Sequence, residues 1–261
     1  MTSVTNEKGP FAGPHEGLRA VYGRPGGANF RRWSFNRVMA RLTLQRSLVE
    51  RQFGVLDHDQ LAQRGYSNEA IDHRVETGRL HRIFRGVYAV GRPELTREGW
   101  WMAAIRACGP EAWLSHGDGA ALYGIRSRPR GDIHLSVPLN ARRSYDGIVT
   151  HRRHLADHEK TERQGIPVVA IEVVLADLAA VLRRGPLEAA INEADVRGLI
   201  AVPELRERVD GMTRRPGRKP LRETIDRRTF RYTRSGLERA FIPIALRAGL
   251  PRPETLVEVN G

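Results

Sequence analysis

The stretch between Asp57 and Val90 limits the fold most, because helical spacing gives way there to strand character within a short span. In LDHDQLAQRG, Asp57 stands as an N-cap, Leu61 and Ala62 form an inner face, and Gly65 is a stop signal. Ser67 then caps NEAIDHRVETG, in which Ile71 and Val75 lie one helical turn apart and Gly78 ends the helix. A helical segment carrying Leu44, Leu48 and Val49 comes before them, so the pattern is a run of short helices whose last two are joined by a tight turn, a helix-turn-helix. RLHRIFRGVYAV follows with no helical stripe. Leu80, Phe84, Val87 and Val90 flank a bend at Arg85-Gly86, which predicts a two-stranded hairpin placed as a wing.

A winged helix-turn-helix of this kind reads duplex DNA. Its second helix enters the major groove, where side chains meet base edges, while nearby arginines hold phosphates. With Ile71 and Val75 turned to the core, Asn68, Asp72 and His73 occupy the outer face. Asparagine suits adenine, and a carboxylate accepts from cytosine. Arg79, Arg82 and Arg85 lie along the wing. The candidate DNA-binding set is Ser67, Asn68, Asp72, His73, Arg74, Arg79, His81, Arg82 and Arg85. The alternative use of such a module is as a spacer or a protein-contact surface.

Charge placement agrees with a polyanionic partner. Of the formal +13, most sits in residues 74–92 at +4 and residues 213–234 at +7, so the remainder is close to balanced. The second segment reads as a basic linker, with Arg214, Arg215, Arg218, Lys219, Arg227 and Arg228 either solvated or held against nucleic acid. The lone cysteine, Cys108, excludes an internal disulfide framework and fits a reducing compartment. The terminus MTSVTNEKGPFAGPHEG has no apolar core of a signal peptide, and no run approaches the roughly 20 apolar residues of a membrane span. A cytoplasmic protein without membrane partners is expected.

The chain divides, on this reading, into a disordered extension (1–40), the winged helix-turn-helix (41–93), a mixed α/β middle domain (94–212), the basic linker (213–233) and a last helix and strand (234–261). The fold class is α+β. In the middle domain, HRRHLADH holds His151, His154 and His158, but strand alternation sends His151 and His154 to opposite faces, so no metal site is expected. Cys108, His116 and Asp118 could be drawn as a nucleophile, base and orienting acid, yet no activating feature accompanies the thiol. Neither a phosphate-binding loop nor a dinucleotide-binding glycine motif is present. No cofactor is expected.

FGVLDHDQLAQRGYSNEAIDHRVETGRLHRIFRGVYAVG, followed by WLSHGDGAALYGI, resembles the AbiEi antitoxin family of type IV toxin–antitoxin systems, over roughly Leu44 to Asp226. The resemblance implies a winged helix-turn-helix that binds promoter DNA and represses its own operon. It also implies a partner, a nucleotidyltransferase-like toxin, opposed by the later part of the chain. Many relatives carry Thr-Ser-Pro-x-Arg-Thr before the central Asp-Leu-Ala, whereas Val169 to Val174 precede Asp177-Leu178-Ala179 here, so any role of that arginine is absent. TRSGLERAFIPIALRAGLPRPETLVEVNG resembles the opening of a Vsr-like endonuclease domain of the PD-(D/E)XK superfamily, with Glu238 at its helical glutamate and residues 255–261 at its first hairpin. The metal-binding aspartate and Glu-x-Lys of that superfamily do not follow, so Mg2+ would matter only in a completed domain and no cleavage by this chain is expected. A DNA-binding antitoxin-like regulator is therefore expected first. A truncated endonuclease of a defence or repair system and a toxin-neutralising interaction protein are the alternatives.

Overall fold

The computed structural model describes residues 46–127, 131–212, 215–226, 241 and 244–251. The expectations placed on residues 1–40, on Arg214, Arg227, Arg228 and Glu238, and on the terminal hairpin lie outside the described residues. Helices and strands are mixed along the chain, as an α+β fold requires, and they gather into two compact units. The first holds the described residues up to Leu114 with those of Pro129–His154 and Gln164–Pro167; the second holds those of Ser115–Arg128, Leu155–Arg163 and from Val168 onward.

The first unit begins with α1 (Arg46–Arg51), β1 (Val55–Asp57), α2 (His58–Ala62), α3 (Asn68–Glu76), β2 (Leu80–Phe84) and β3 (Val87–Val90). The expected helices and hairpin are present. The strand β1 is an addition: Val55 and Leu56 pair antiparallel with Ala89 and Tyr88, giving the order β1-β3-β2. Strand alternation then sorts the side chains. Leu56, Tyr88 and Val90 join Val49, Leu61, Ile71 and Leu80 in one core beneath the helices. Val55, Val87 and Ala89 are buried on the opposite face, which α4 (Arg97–Cys108) covers by packing on all of β1, β2 and β3. Each fully buried Leu or Ile of this core contributes about 1.5–3 kcal/mol. The wing is thus a supported sheet, covered on both faces. Strands β4 (Trp113–Leu114), β5 (Ile133–Val137) and β6 (Ile148–Arg152) complete the unit, β5 running antiparallel to β4 and parallel to β6.

The second unit contains α5 (His116–Tyr123), β7 (Lys160–Arg163) and α6 (Ile171–Ala179); of β8 (Ile166–Val169) only Val168 and Val169 belong to it. Every residue of α6 is buried, as befits a helix apolar nearly all round. Around it pack α5, α7 (Arg184–Val196), α8 (Val202–Gly211) and α9 (Arg218–Asp226). The two carboxylates of α6 are both paired: Glu172 accepts from Arg208 at 3.1 Å, and Asp177 accepts from the His116 amide at 3.4 Å.

Within the segment read as a basic linker, the described residues 215–226 correct that reading. Residues 218–226 form α9, with Leu221, Thr224 and Ile225 buried. Pro216, Gly217, Pro220 and the crowd of charges hid the Leu221/Ile225 stripe from a reading by composition. Arg215 is itself buried, only 7 % exposed, against the buried carboxylate of Glu159. Arg218 donates to the Val209 and Asp210 carbonyls at 2.9 and 2.8 Å, capping the C-terminal end of α8 with a cation. At Gly217 a Cβ would lie 1.6 Å from the Ala176 carbonyl oxygen, so the chain lies directly on α6 and tolerates only glycine there. Among the described residues no helix is long and apolar enough to cross a membrane.

Candidate nucleic-acid interface

The interface is set by caps that act locally. The Asp57 carboxylate accepts from the Gln60 amide at 2.8 Å while the Gln60 side chain accepts from the Asp57 amide at 3.1 Å, a capping box that starts α2 immediately after β1. The next residue, His58, donates its backbone N–H to the Gly86 carbonyl at 2.8 Å and so ties the start of α2 to the turn of the wing. Gly86 adopts φ 76°, which lets Arg85-Gly86 reverse the chain tightly. Ser67 caps α3, accepting from the Ala70 amide at 3.2 Å.

These ties bring the N-terminal half of α3 beside the wing. Asn68 Oδ1 lies 2.8 Å from His58 Nε2. One helical turn on, Asp72 faces β2, and Arg82 donates to its Oδ1 at 2.5 Å while the guanidinium rests 5.7 Å from the centre of the Tyr88 ring. Asn68, Asp72, Arg82 and Arg85 are exposed and His58 is half-buried, so one outward face runs from the start of α2 across α3 to the wing tip. Beneath it, Phe84 packs edge-on against Trp100 and Tyr145, at centroid distances of 6.3 and 5.4 Å, which fixes the tip.

Other members of the predicted set are placed differently. Arg74 is half-buried, stacked 4.3 Å over the Tyr66 ring and donating to the Ala70 carbonyl at 2.8 Å. His81 is half-buried, and burial holds its ring below the ordinary histidine pKa even though the Gly91 and Gly78 carbonyls and the Glu94 charge favour the proton. Arg79 precedes β2 and Arg85 follows it, so the strand rise puts them about 20 Å apart along the wing. His73 is exposed on α3, and Ser67 is engaged as the cap. Two features escaped sequence reasoning. His58 joins the face because of the turn it touches, and its place directly after the capping Asp57 was the available signal. The Asp72–Arg82 pair could not be seen, because it links a helix to a strand.

The electrostatics of the face are divided. α3 exposes Glu69, Asp72 and Glu76, so it offers hydrogen-bond acceptors, whereas the wing offers cations. The exposed cations of this face thus lie on the wing, at Arg82 and Arg85, and its exposed carboxylates on α3.

Elsewhere, the Cys108 thiol is pushed up to about 11 by burial, so it stays protonated at neutral pH and is no activated nucleophile. His154 and His158 are exposed beyond the end of β6, apart from His151 on the strand.

Residues 44–91 match the family described as "Transcriptional regulator, AbiEi antitoxin". Over the winged helix-turn-helix, the resemblance seen in the sequence is thereby met; the match does not reach residues 234–261, and the endonuclease reading of that segment gains no support. The chain is 28% identical over 197 residues to the "Uncharacterized protein MT2308" and the "Uncharacterized protein Rv2248" of two Mycobacterium tuberculosis strains, covering 75% of this chain and 70% of each relative. A solved structure, the crystal structure of the RV2827C protein from Mycobacterium tuberculosis, is 18% identical with a TM-score of 0.46, over 77% of this chain and 80% of that one.

Proposed function

We propose that this chain is a DNA-binding transcriptional regulator of the antitoxin type, gripping duplex DNA with α3 and the β2–β3 wing. The observation that carries the reading is the single outward face formed by Asn68, Asp72, Arg82 and Arg85, and the family match over residues 44–91 supports it. In the complex α3 lies in the major groove. Asn68 pairs with an adenine edge, the carboxylate of α3 nearest the groove floor accepts from a cytosine amino group, and Arg85 at the wing tip holds a phosphate or the minor groove. Arg82, fixed by Asp72, stands beside the same backbone. The target is double-stranded promoter DNA of the chain's own operon. In the type IV arrangement the second partner is a nucleotidyltransferase-like toxin. Neither contact calls for a metal or a cofactor.

The test is a fluorescence anisotropy titration of the duplex upstream of the gene against a scrambled duplex, over a series of salt concentrations. Arg82→Ala with Arg85→Ala is expected to weaken binding to both and to make the slope of log K against log salt shallower by roughly 1.8, for two phosphates released at about 0.9 each. Asn68→Ala is expected to remove about 1–3 kcal/mol of discrimination while leaving the salt slope alone. Unchanged affinity in the double arginine variant would sink the wing assignment.

A further inference from the structure

β5 and β6 run parallel with His134 opposite Val149 and Ser136 opposite His151. That register puts His134 and His151 on the same face as diagonal neighbours, while Ile133, Leu135 and Val137 point to the core side. The two rings lie nearly parallel, 20° apart with centroids 5.2 Å from each other, and His134 Nδ1 is 3.0 Å from His151 Nε2. Two imidazole nitrogens at that separation either share one proton or direct their lone pairs toward one cation.

We propose that His134 and His151 form a binding site for a borderline divalent transition metal such as Zn2+ or Cu2+. A tetrahedral ion with metal–nitrogen bonds of about 2.0–2.1 Å places two ligand atoms about 3.3 Å apart, so the pair needs to open by only about 0.3 Å to hold one. Paired strands carry both side chains, which limits the conformational entropy lost on binding. The donors are both imidazole, which selects copper, nickel and zinc over magnesium and calcium, with Cu2+ held most tightly. The ion fills its other positions with water or further donors. Sequence alternation pointed away from a metal site because it compared His151 only with His154 along one strand; the partner stands on the adjacent strand.

The site is tested by titrating the full, tag-free chain with CuCl2 and ZnCl2 in isothermal calorimetry, with Cu2+ electron paramagnetic resonance as an independent readout. One ion per chain is expected, with nitrogen hyperfine structure in the copper spectrum and a rise in melting temperature on adding Zn2+. His134→Gln and His151→Gln should each weaken binding at least about tenfold. His154→Gln, His158→Gln and Cys108→Ser should leave it unchanged, and MgCl2 should not bind. The proposal is overturned if the native chain shows no saturable binding of either ion up to about 100 µM, or if the doubly substituted chain, folded by circular dichroism, binds as the native chain does. Neither result bears on DNA affinity, which is measured separately.

Discussion

At the scale of single residues, the partner of a charge decides its role. Arg82 and Arg85 look equivalent in the sequence, yet Arg82 is paired with Asp72 at 2.5 Å while Arg85 occupies the turn. Both members of the pair are about half exposed, so its direct contribution to stability is at most about 1 kcal/mol. On the proposed DNA-binding reading its effect on affinity would be larger, because Asp72 competes with phosphate for Arg82 and adds a negative charge to the face. Asp72→Asn is therefore expected to tighten binding to any duplex several-fold while narrowing the gap between operator and scrambled DNA. The check is anisotropy on both duplexes at one salt concentration. Equal or weaker binding by the variant would mean that Asp72 does not restrain Arg82.

At the scale of elements, the wing is a sheet held between a helical core and α4, and this packing gives it an acid-sensitive point. His81 sits in β2 with a pKa lowered chiefly by desolvation. The unfolded chain therefore takes up this proton at a higher pH than the folded one. The associated stability is complete above the ordinary histidine value of about 6.5 and is lost as the pH falls through the lower folded value. Thermal unfolding followed by circular dichroism is expected to give a lower melting temperature at pH 5 than at pH 7.5. That difference should shrink in His81→Gln, since glutamine has no proton to take up. A pH difference of the same size in the variant would relieve His81 of this role. The caps at Asp57 and Ser67, in contrast, act within one turn and were readable from residue spacing alone.

At the scale of the molecule, the +7 segment is the place where charge count and structure part company. Read as composition it was a linker, but its described part holds Arg215 buried on Glu159, Arg218 capping α8, and Arg222 paired with Asp210 and Asp226 at 3.0 and 2.7 Å. Those cations are spent inside the second unit. Arg215→Ala should cost about 3–5 kcal/mol, since it leaves a buried carboxylate without its counter-charge. Lys219→Ala, at a side chain 87 % exposed, should stay within about 0.5 kcal/mol. Urea unfolding of the two variants checks the contrast, and similar costs would return the segment to a solvated linker. The amino-acid sequence by itself determined the helix-turn-helix, the wing turn at Arg85-Gly86 and the outward face of α3. Those features follow from caps, glycine stops and hydrophobic periods that operate across a few neighbouring residues. Only tertiary structure decided that β1 would pair with β3, that Asp72 would hold Arg82, that His134 would meet His151, and that Arg215 would be buried. A charge or an imidazole specifies what it can bind, but its partner is chosen by strand register and helix packing, which join residues far apart along the chain.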